Sequence, residues 1–270
     1  MSLPSNVRVL SALDPNHAAY DISDAGVMEQ LSRAEDAHFW HLARNAFIAQ
    51  HLERLGACPP ATVLELGCGG GCVSAHLASC GFRVTGVDGH LPRVLEAARR
   101  ARSATFLVAD LTKGVAELPV EQDVVGLFDV LEHLVDPGAA LADALGLVRS
   151  GGLLVGTVPA LMALWSQVDV SAGHQTRFDK QSLGALLRAV DGAELVEMIW
   201  FNRLLAPMMW ARRRAMASKQ GDLSADLALP SPVVNGTLLR ALRVEYALER
   251  ALERTPVPGA SLWFALRKRR

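Results

Sequence analysis

The sequence predicts an α/β fold: a mostly parallel sheet with helices on both faces. Three observations predict it. An apolar run, Thr62 to Leu66, feeds a glycine cluster and then a helical pattern from about Gly71 to Ser79. After that turn, strand and helix patterns alternate along the chain, the rhythm of a parallel sheet. Acids follow the next three strands, at Asp88, Asp110 and Asp129.

Length and composition suit this class. The chain has 270 residues, half of them apolar, enough for one large domain or a domain with a sizeable insertion. Cys58, Cys68, Cys72 and Cys80 occur with no secretory signal pattern, so they read as reduced thiols of a cytoplasmic protein. No apolar run reaches the roughly 18 residues of a membrane span. The net charge is −1, but it is unevenly placed. Residues 1–198 carry 14 Lys and Arg against 23 Asp and Glu, whereas residues 199–270 carry 13 against 5. The basic part could meet an anionic membrane, an anionic substrate or the acidic body. Near-neutral balance and the lack of a recognised motif argue against nucleic acid.

Residues 1–26 read as a loose lead-in. Helical periodicity from Val27 to Leu55 follows, stopped by Gly56 and Pro59-Pro60. With the lead-in it makes a helical lid over residues 1–56. Inside it, Glu35-Asp36-Ala37-His38-Phe39-Trp40-His41-Leu42-Ala43-Arg44 places aromatic rings beside His and Arg. Phe39 and Trp40 are candidate pocket residues, and Arg44 can clamp a carboxylate with two hydrogen bonds.

The core is expected over residues 57–201. Its first strand runs into Glu65-Leu66-Gly67-Cys68-Gly69-Gly70-Gly71. Glycine lets backbone N–H groups turn sharply and approach a ligand at a helix N-terminus. The dinucleotide fingerprint G-x-G-x-x-G does not fit, because counting from Gly67 its third glycine falls on Cys72. Glu65, two residues before the first glycine, suits a ligand with a cationic centre and would repel a pyrophosphate. Strand two, Arg83 to Val87, ends at Asp88-Gly89, 21 positions beyond Gly67. An acid there can hold a ribose diol or cap the next helix. Strand three, Ala104 to Ala109, leads to Asp110-Leu111, an acid and an apolar side chain suited to an exocyclic amine and a purine face. Strand four, Asp123 to Phe128, leads to Asp129-Val130-Leu131-Glu132-His133-Leu134-Val135-Asp136-Pro137 at the edge where α/β sheets bind ligands. A helix to about Arg149 and strand five, Gly152 to Val158, follow.

Together these motifs resemble the class I S-adenosylmethionine (SAM) methyltransferases, over about residues 35–200. The branch most resembled holds the ubiquinone-biosynthesis O-methyltransferases and related bacterial small-molecule enzymes. The resemblance implies a Rossmann-like, seven-stranded, mostly parallel sheet. It also implies SAM as cofactor, leaving S-adenosylhomocysteine (SAH). By resemblance, Gly67, Cys68, Gly69 and Gly71 pass the amino-acid part, with Glu65 and Arg44 near it. Asp88 and Gly89 hold the ribose, Asp110 and Leu111 meet adenine, and Phe128 and His133 line the cofactor. Some members of the branch use an acid-x-x-Glu-His element with a divalent cation, which would fall on Asp129, Glu132 and His133. Asp129 is one methylene shorter than the Glu of that pattern, which argues against a metal.

On the acceptor side, strand six is expected at Ala193 to Phe201 and the last strand at Ala260 to Leu266, within residues 260–270. A helical insertion, residues 202–259, separates them. It holds Leu204 to Met216, with Pro207, Met208, Met209, Trp210 and Arg212-Arg213-Arg214, a polar loop, and an amphipathic helix from Thr237 to Arg254. The insertion reads as a cap over the substrate pocket or as a peripheral membrane contact at the inner face. Pro159 to Arg177 is a long, weakly periodic stretch of the kind that carries function. Trp165, Arg177, Trp200 and Met208 are further pocket candidates. Methyl transfer to an O–H must also dispose of a proton, and a histidine suits that step. His174, with Asp169 as its orienting partner, and His133 are the candidates; packing roles are the alternative. The reading is thus a small-molecule methyltransferase acting on oxygen. Its rivals are a methyltransferase of a lipid or lipid-linked substrate, and a SAM-binding regulator without turnover.

Overall fold

The computed structural model describes residues 3–10, 25–215 and 228–270. The expected lead-in and the polar loop of the insertion fall largely outside these residues.

Glycine and proline punctuation sets the elements in order. They are β1 (Val7–Val9), α1 (Ala25–Ala37), α2 (Phe39–Arg54), β2 (Thr62–Leu66), α3 (Cys72–Ser79), β3 (Arg83–Asp88), α4 (Leu91–Arg100) and β4 (Thr105–Val108). Then come β5 (Gln122–Phe128), α5 (Pro137–Leu147), β6 (Val148–Pro159), α6 (Gln167–Ser171), α7 (Lys180–Arg188) and β7 (Ala193–Phe201). The chain ends with α8 (Leu205–Ala215), α9 (Pro232–Ala247), the short α10 (Glu249–Leu252) and β8 (Ser261–Lys268).

The strands form one sheet in the order β1-β4-β3-β2-β5-β6-β8-β7. All are parallel except β8, which runs antiparallel to both β6 and β7. The expected α/β class holds, but the sheet has eight strands among the described residues, not seven. The extra strand is β1, inside the expected lead-in. Three residues are too few to show a period. Asn6 fixes β1 by donating to the Ala98, Ala101 and Ala104 carbonyls at 3.1–3.4 Å.

The helix expected as one pattern from Val27 breaks at His38, whose side chain accepts from the Trp40 N–H. Asn235 of α9 spans the break, donating to the Ala37 carbonyl and accepting from the Phe39 N–H. The amphipathic helix of the insertion starts earlier than expected, because Ser231 caps it and Pro232 occupies its first turn. Residues 202–260 leave from Phe201 and return at Ser261, two residues paired across β7 and β8.

The core has two layers. Phe47, Ile48 and Leu52 of α2 pack with Leu77, Val94, Phe106 and Trp263 on one face of the sheet. Leu141 and Leu145 of α5 pack with Leu183, Leu187, Leu127 and Phe264 on the other. Strand order reverses at β2, which has β3 on one side and β5 on the other. The ends of β2 and β5 therefore open a crevice where a doubly wound sheet binds its ligand.

Candidate functional site

The glycine loop builds one wall of the crevice. Gly67, Gly69 and Gly71 have φ of 74°, 51° and 74°, a region costly for other residues. Gly71 caps α3, and a Cβ there would stand 2.6 Å from Ala97 Cβ of α4. A Cβ on Gly67 would meet Val130 Cγ2 at 2.7 Å, so the loops after β2 and β5 touch. Asp88 locks the loop to the end of β3. It accepts from the Gly69 N–H at 2.9 Å and the His90 N–H at 2.8 Å. Gly89 beside it is exposed, leaving space over the end of the strand.

Arg44 reaches this crevice from α2. It is buried, its guanidinium lies 4.7 Å over the Trp40 ring, and its Nη1 donates to Asp129 Oδ2. Burial alone would lower its pKa, but the Asp129 charge and hydrogen bond, together with Cys72 and Glu65, outweigh it and raise the pKa. Its Nε, also buried, has no partner among the described residues. Asp129 holds a left-handed φ of 57°, a conformation rarely adopted by a non-glycine residue. Glu65 is buried at the end of β2 and accepts from the Ser74 hydroxyl. Burial pushes its carboxyl up to about 7, with Ser74 and Arg44 opposing the rise. A spare cationic donor and a desolvated acid beside one glycine loop fit the carboxylate and ammonium of an amino-acid ligand.

The other wall comes from the loops after β5 and β6. Glu132 and His133 lie on a 3-10 turn, Leu131–His133. Glu132 is 1 % exposed, and its Oε2 lacks a partner among the described residues. Burial, reinforced by the nearby Asp129 charge, raises its carboxyl well above the usual range. His133 is pushed down to about 4, by burial and then by His174. The two rings meet edge to face with centroids 4.8 Å apart. His174 Nδ1 lies 3.0 Å from Asp169 Oδ1, which also accepts from Arg177 Nε at 2.6 Å. Burial would raise Asp169, but His174 and Arg177 overrule it and hold the group well below the usual carboxylate range. An ionised carboxylate only accepts, so His174 Nδ1 carries the hydrogen of that contact. The Gln175 N–H donates to the Glu132 carbonyl at 2.7 Å and ties the two loops together.

The remaining expected residues are placed differently. Asp110 caps the 3-10 turn Leu111–Lys113, accepting from Thr112 and pairing with Lys113 at 3.3 Å. Leu111 and Phe128 pack against the sheet, and buried Cys68 has its thiol raised well above its ordinary value, first by burial. Of the pocket candidates, Trp40 stacks on Arg44, and Trp165 is half-buried after the 3-10 turn that follows β6. Phe39 is core, and Arg177 is occupied by Asp169 and the Ala160 carbonyl. Trp200 packs on the α5 and α7 face, away from Arg44, and Met208 is 52 % exposed. Asp129, the residue whose length argues against a metal on the Asp129, Glu132 and His133 element, is engaged by Arg44.

Two features escaped the sequence reading. Thr157, opposite Phe128 in the sheet, has a buried hydroxyl without a partner among the described residues. Glu35 of α1 binds Arg93 and Arg100 of α4 beneath the loop, and Arg100 also donates to the Gly70 carbonyl. Glu35 stands in the motif singled out around Trp40, but nothing local marks its partners.

Comparison with known proteins agrees with this architecture. The methyltransferase-domain pattern matches residues 39–196. A ubiquinone biosynthesis O-methyltransferase of Maricaulis maris is 39 % identical over 98 residues, 34 % of this chain and 38 % of that protein. One of Xylella fastidiosa is 31 % identical over 146 residues, 52 % of this chain and 57 % of that protein. These matches span from about two-fifths to just over half of the curated relatives. A Haemonchus contortus phosphoethanolamine N-methyltransferase, solved with SAM, superposes with a TM-score of 0.53 at 16 % identity, covering 81 % of this chain and 51 % of that one. That likeness is one of fold. With more than half of its length matched by the family pattern and the crevice at the expected switch point, the chain belongs to the methyltransferase-domain family.

Proposed function

We propose that this protein transfers a methyl group from SAM to an oxygen of a small-molecule acceptor. One observation carries the cofactor: Arg44 Nε without a partner and the desolvated Glu65 flank the same glycine loop. They complement the two charges of the amino-acid moiety, while Asp88 stands where a ribose diol binds. The acids around the crevice disfavour a phosphate ligand.

SAM arrives with its methyl activated, so the protein's task is alignment and proton removal. Glu132, His133 and His174 form the polar end of the crevice and are the groups that meet the acceptor hydroxyl. The named activity of the relatives supports oxygen as the acceptor atom. The direct test is label transfer from methyl-tritiated SAM to a simple catechol, run beside SAH calorimetry. SAH binding without transfer to catechols, phenols or alcohols would favour a non-catalytic SAM-binding regulator. Failure to bind SAH would remove the proposal.

The insertion favours one narrower reading, a lipid-linked acceptor. Met208, Trp210, Val233, Val234 and Val244 of α8 and α9 are exposed, with Arg214 stacked on Trp210 at 4.3 Å. Apolar side chains beside guanidinium groups suit a headgroup boundary. Co-sedimentation with anionic vesicles, lost in Trp210→Ser with Val233→Ser, is the expected result. An unbound supernatant fraction would leave the insertion as a cap.

A further inference from the structure

The crevice uses the C-terminal ends of the parallel strands. The opposite edge of the sheet carries a second cavity, of about 350 Å³, within the size range of small-ligand sites. The turn after α2, the starts of β3 and β5 and the end of β8 line it. Its remaining wall comes from an irregularity in β6. Gln122 pairs with Val148 and Val124 with Leu153, so β5 advances two residues while β6 advances five. The surplus loops out within Arg149-Ser150-Gly151-Gly152. Gly151 holds a φ of 74°, and a Cβ on Gly152 would stand 2.9 Å from the Asp123 carbonyl oxygen. Both positions therefore favour glycine, and that wall is mostly backbone. Bulges re-aim neighbouring side chains, and this one turns Arg149 Nε onto Asp123 Oδ1 at 2.6 Å.

The lining is unbalanced in charge. It holds three arginines, Arg83, Arg149 and Arg267, and one acid, Asp123. Asp123 is already engaged, by Arg149 and by the Thr62 N–H and hydroxyl at 2.8 and 3.0 Å. Among the described residues, Arg83 donates only to the Pro60 carbonyl, and Arg267 only to the Gly151 and Leu55 carbonyls. Arg270 adds a fourth cation nearby, with Nε 3.9 Å from where a Cβ on Gly151 would stand. The buried arginines Arg44, Arg93 and Arg177 each meet a carboxylate. In this cavity the cations outnumber the acids, an arrangement that an anionic ligand balances.

We propose that this cavity binds a phosphorylated small molecule through Arg83, Arg149 and Arg267, at a site separate from the methyl-transfer crevice. Guanidinium groups bind phosphate and carboxylate oxygens in pairs. Three of them, carried by β3, β6 and β8, suit a tetrahedral phosphate whose oxygens point in several directions. A planar carboxylate is satisfied by one. Asp123 sets a threshold, because the ligand must compete with it for Arg149, which favours a group carrying two or more negative charges. This inference stands whether or not the crevice transfers methyl groups.

The test titrates pyrophosphate into the full chain by calorimetry, with succinate as the carboxylate arm and SAH as the competitor. One equivalent of pyrophosphate should bind saturably, more tightly than succinate, and saturating SAH should leave its affinity unchanged. Arg83→Gln should weaken pyrophosphate about tenfold, with circular dichroism and SAH affinity unchanged. Asp123→Asn should strengthen it about threefold, because Arg149 is released while the amide oxygen can still accept from Thr62. A merely structural role for Asp123 would give a loss instead. Cys58, exposed in the lining, locates the ligand, since pyrophosphate should protect it from alkylation by iodoacetamide. No saturable binding, unchanged affinity in a folded Arg83→Gln, or weaker binding in a folded Asp123→Asn would each overturn the assignment. So would displacement by SAH, succinate binding as tightly as pyrophosphate, or a Cys58 left unprotected at saturation.

Discussion

Two clusters of buried charge lie along α2, one at its C-terminal end and one nearer its N-terminal end, and they are built differently. At its C-terminal end, His51 lies 2.8 Å from Glu197 and 2.6 Å from Glu249. Arg54 pairs with both acids, and Trp263 Nε1 donates to Glu197 at 2.7 Å. No buried side-chain nitrogen or oxygen of that cluster lacks a partner among the described residues. Nearer its N-terminal end, Arg44 meets the crevice, where Arg44 Nε, Glu132 Oε2 and Thr157 Oγ1 are all unpartnered among those residues. A buried polar atom left without a partner costs free energy, so natural structures keep few of them. The satisfied cluster joins α2, β7, β8 and α10. The unsatisfied one lies at the crevice where the proposed cofactor and acceptor would bind.

This contrast can be broken by experiment. The largest effect is expected for Asp88→Ala, which removes two prospective charge-assisted hydrogen bonds to the ribose of about 1.5–3 kcal/mol each. It also frees the Gly69 and His90 N–H groups. SAH affinity measured by calorimetry should fall by two orders of magnitude or more. Near-native affinity would remove Asp88 from the site.

Glu249→Ala should do the reverse. Removing one partner of a buried ion cluster costs about 3–5 kcal/mol of stability. Urea unfolding should show that loss while SAH affinity stays within about twofold. A larger effect on SAH than on stability would merge the two clusters into one functional unit.

The smallest and most diagnostic effect concerns Glu65. Its folded pKa, about 7, lies above the ordinary carboxylate value, so the native state binds the extra proton. Between the unfolded pKa and about 7 this group lowers stability as pH rises. Glu65→Gln should therefore gain about 1–3 kcal/mol relative to the parent at pH 8 and little at pH 4. An ammonium placed beside Glu65 would favour its charged form. SAH binding near pH 6.5 should then release a proton, read as a buffer-dependent calorimetric enthalpy that Glu65→Gln abolishes. Equal enthalpies in all buffers would place the ligand's amino group elsewhere.

Much of this architecture is legible locally. The strand ends at Leu66 and Phe201 are written in apolar runs closed by glycine or a polar residue, a pattern with a range of a few residues. Asp88 is readable because the strand and turn before it set its distance from Gly67. The break at His38 depends on Asn235 reaching it from α9, which no local pattern shows, and β1 is too short to show a period. Trp200 packs on the α5 and α7 face and Met208 is exposed, and neither placement is legible locally, because hydrophobicity says that a side chain is buried or sticky, not which face it serves.

By itself, then, the sequence determined the α/β alternation, the sharp glycine turn and the series of acids, all consequences of local periodicity and backbone freedom. Tertiary structure alone decided who meets whom in the crevice. It gave Asp129 to Arg44, supported His174 with Asp169 and Arg177, and brought His174 to Glu132 and His133 from 42 and 41 residues away. The physical reason is range. Conformational preference acts over a few bonds, whereas pairing of buried charges depends on which loops the completed sheet carries to the same edge.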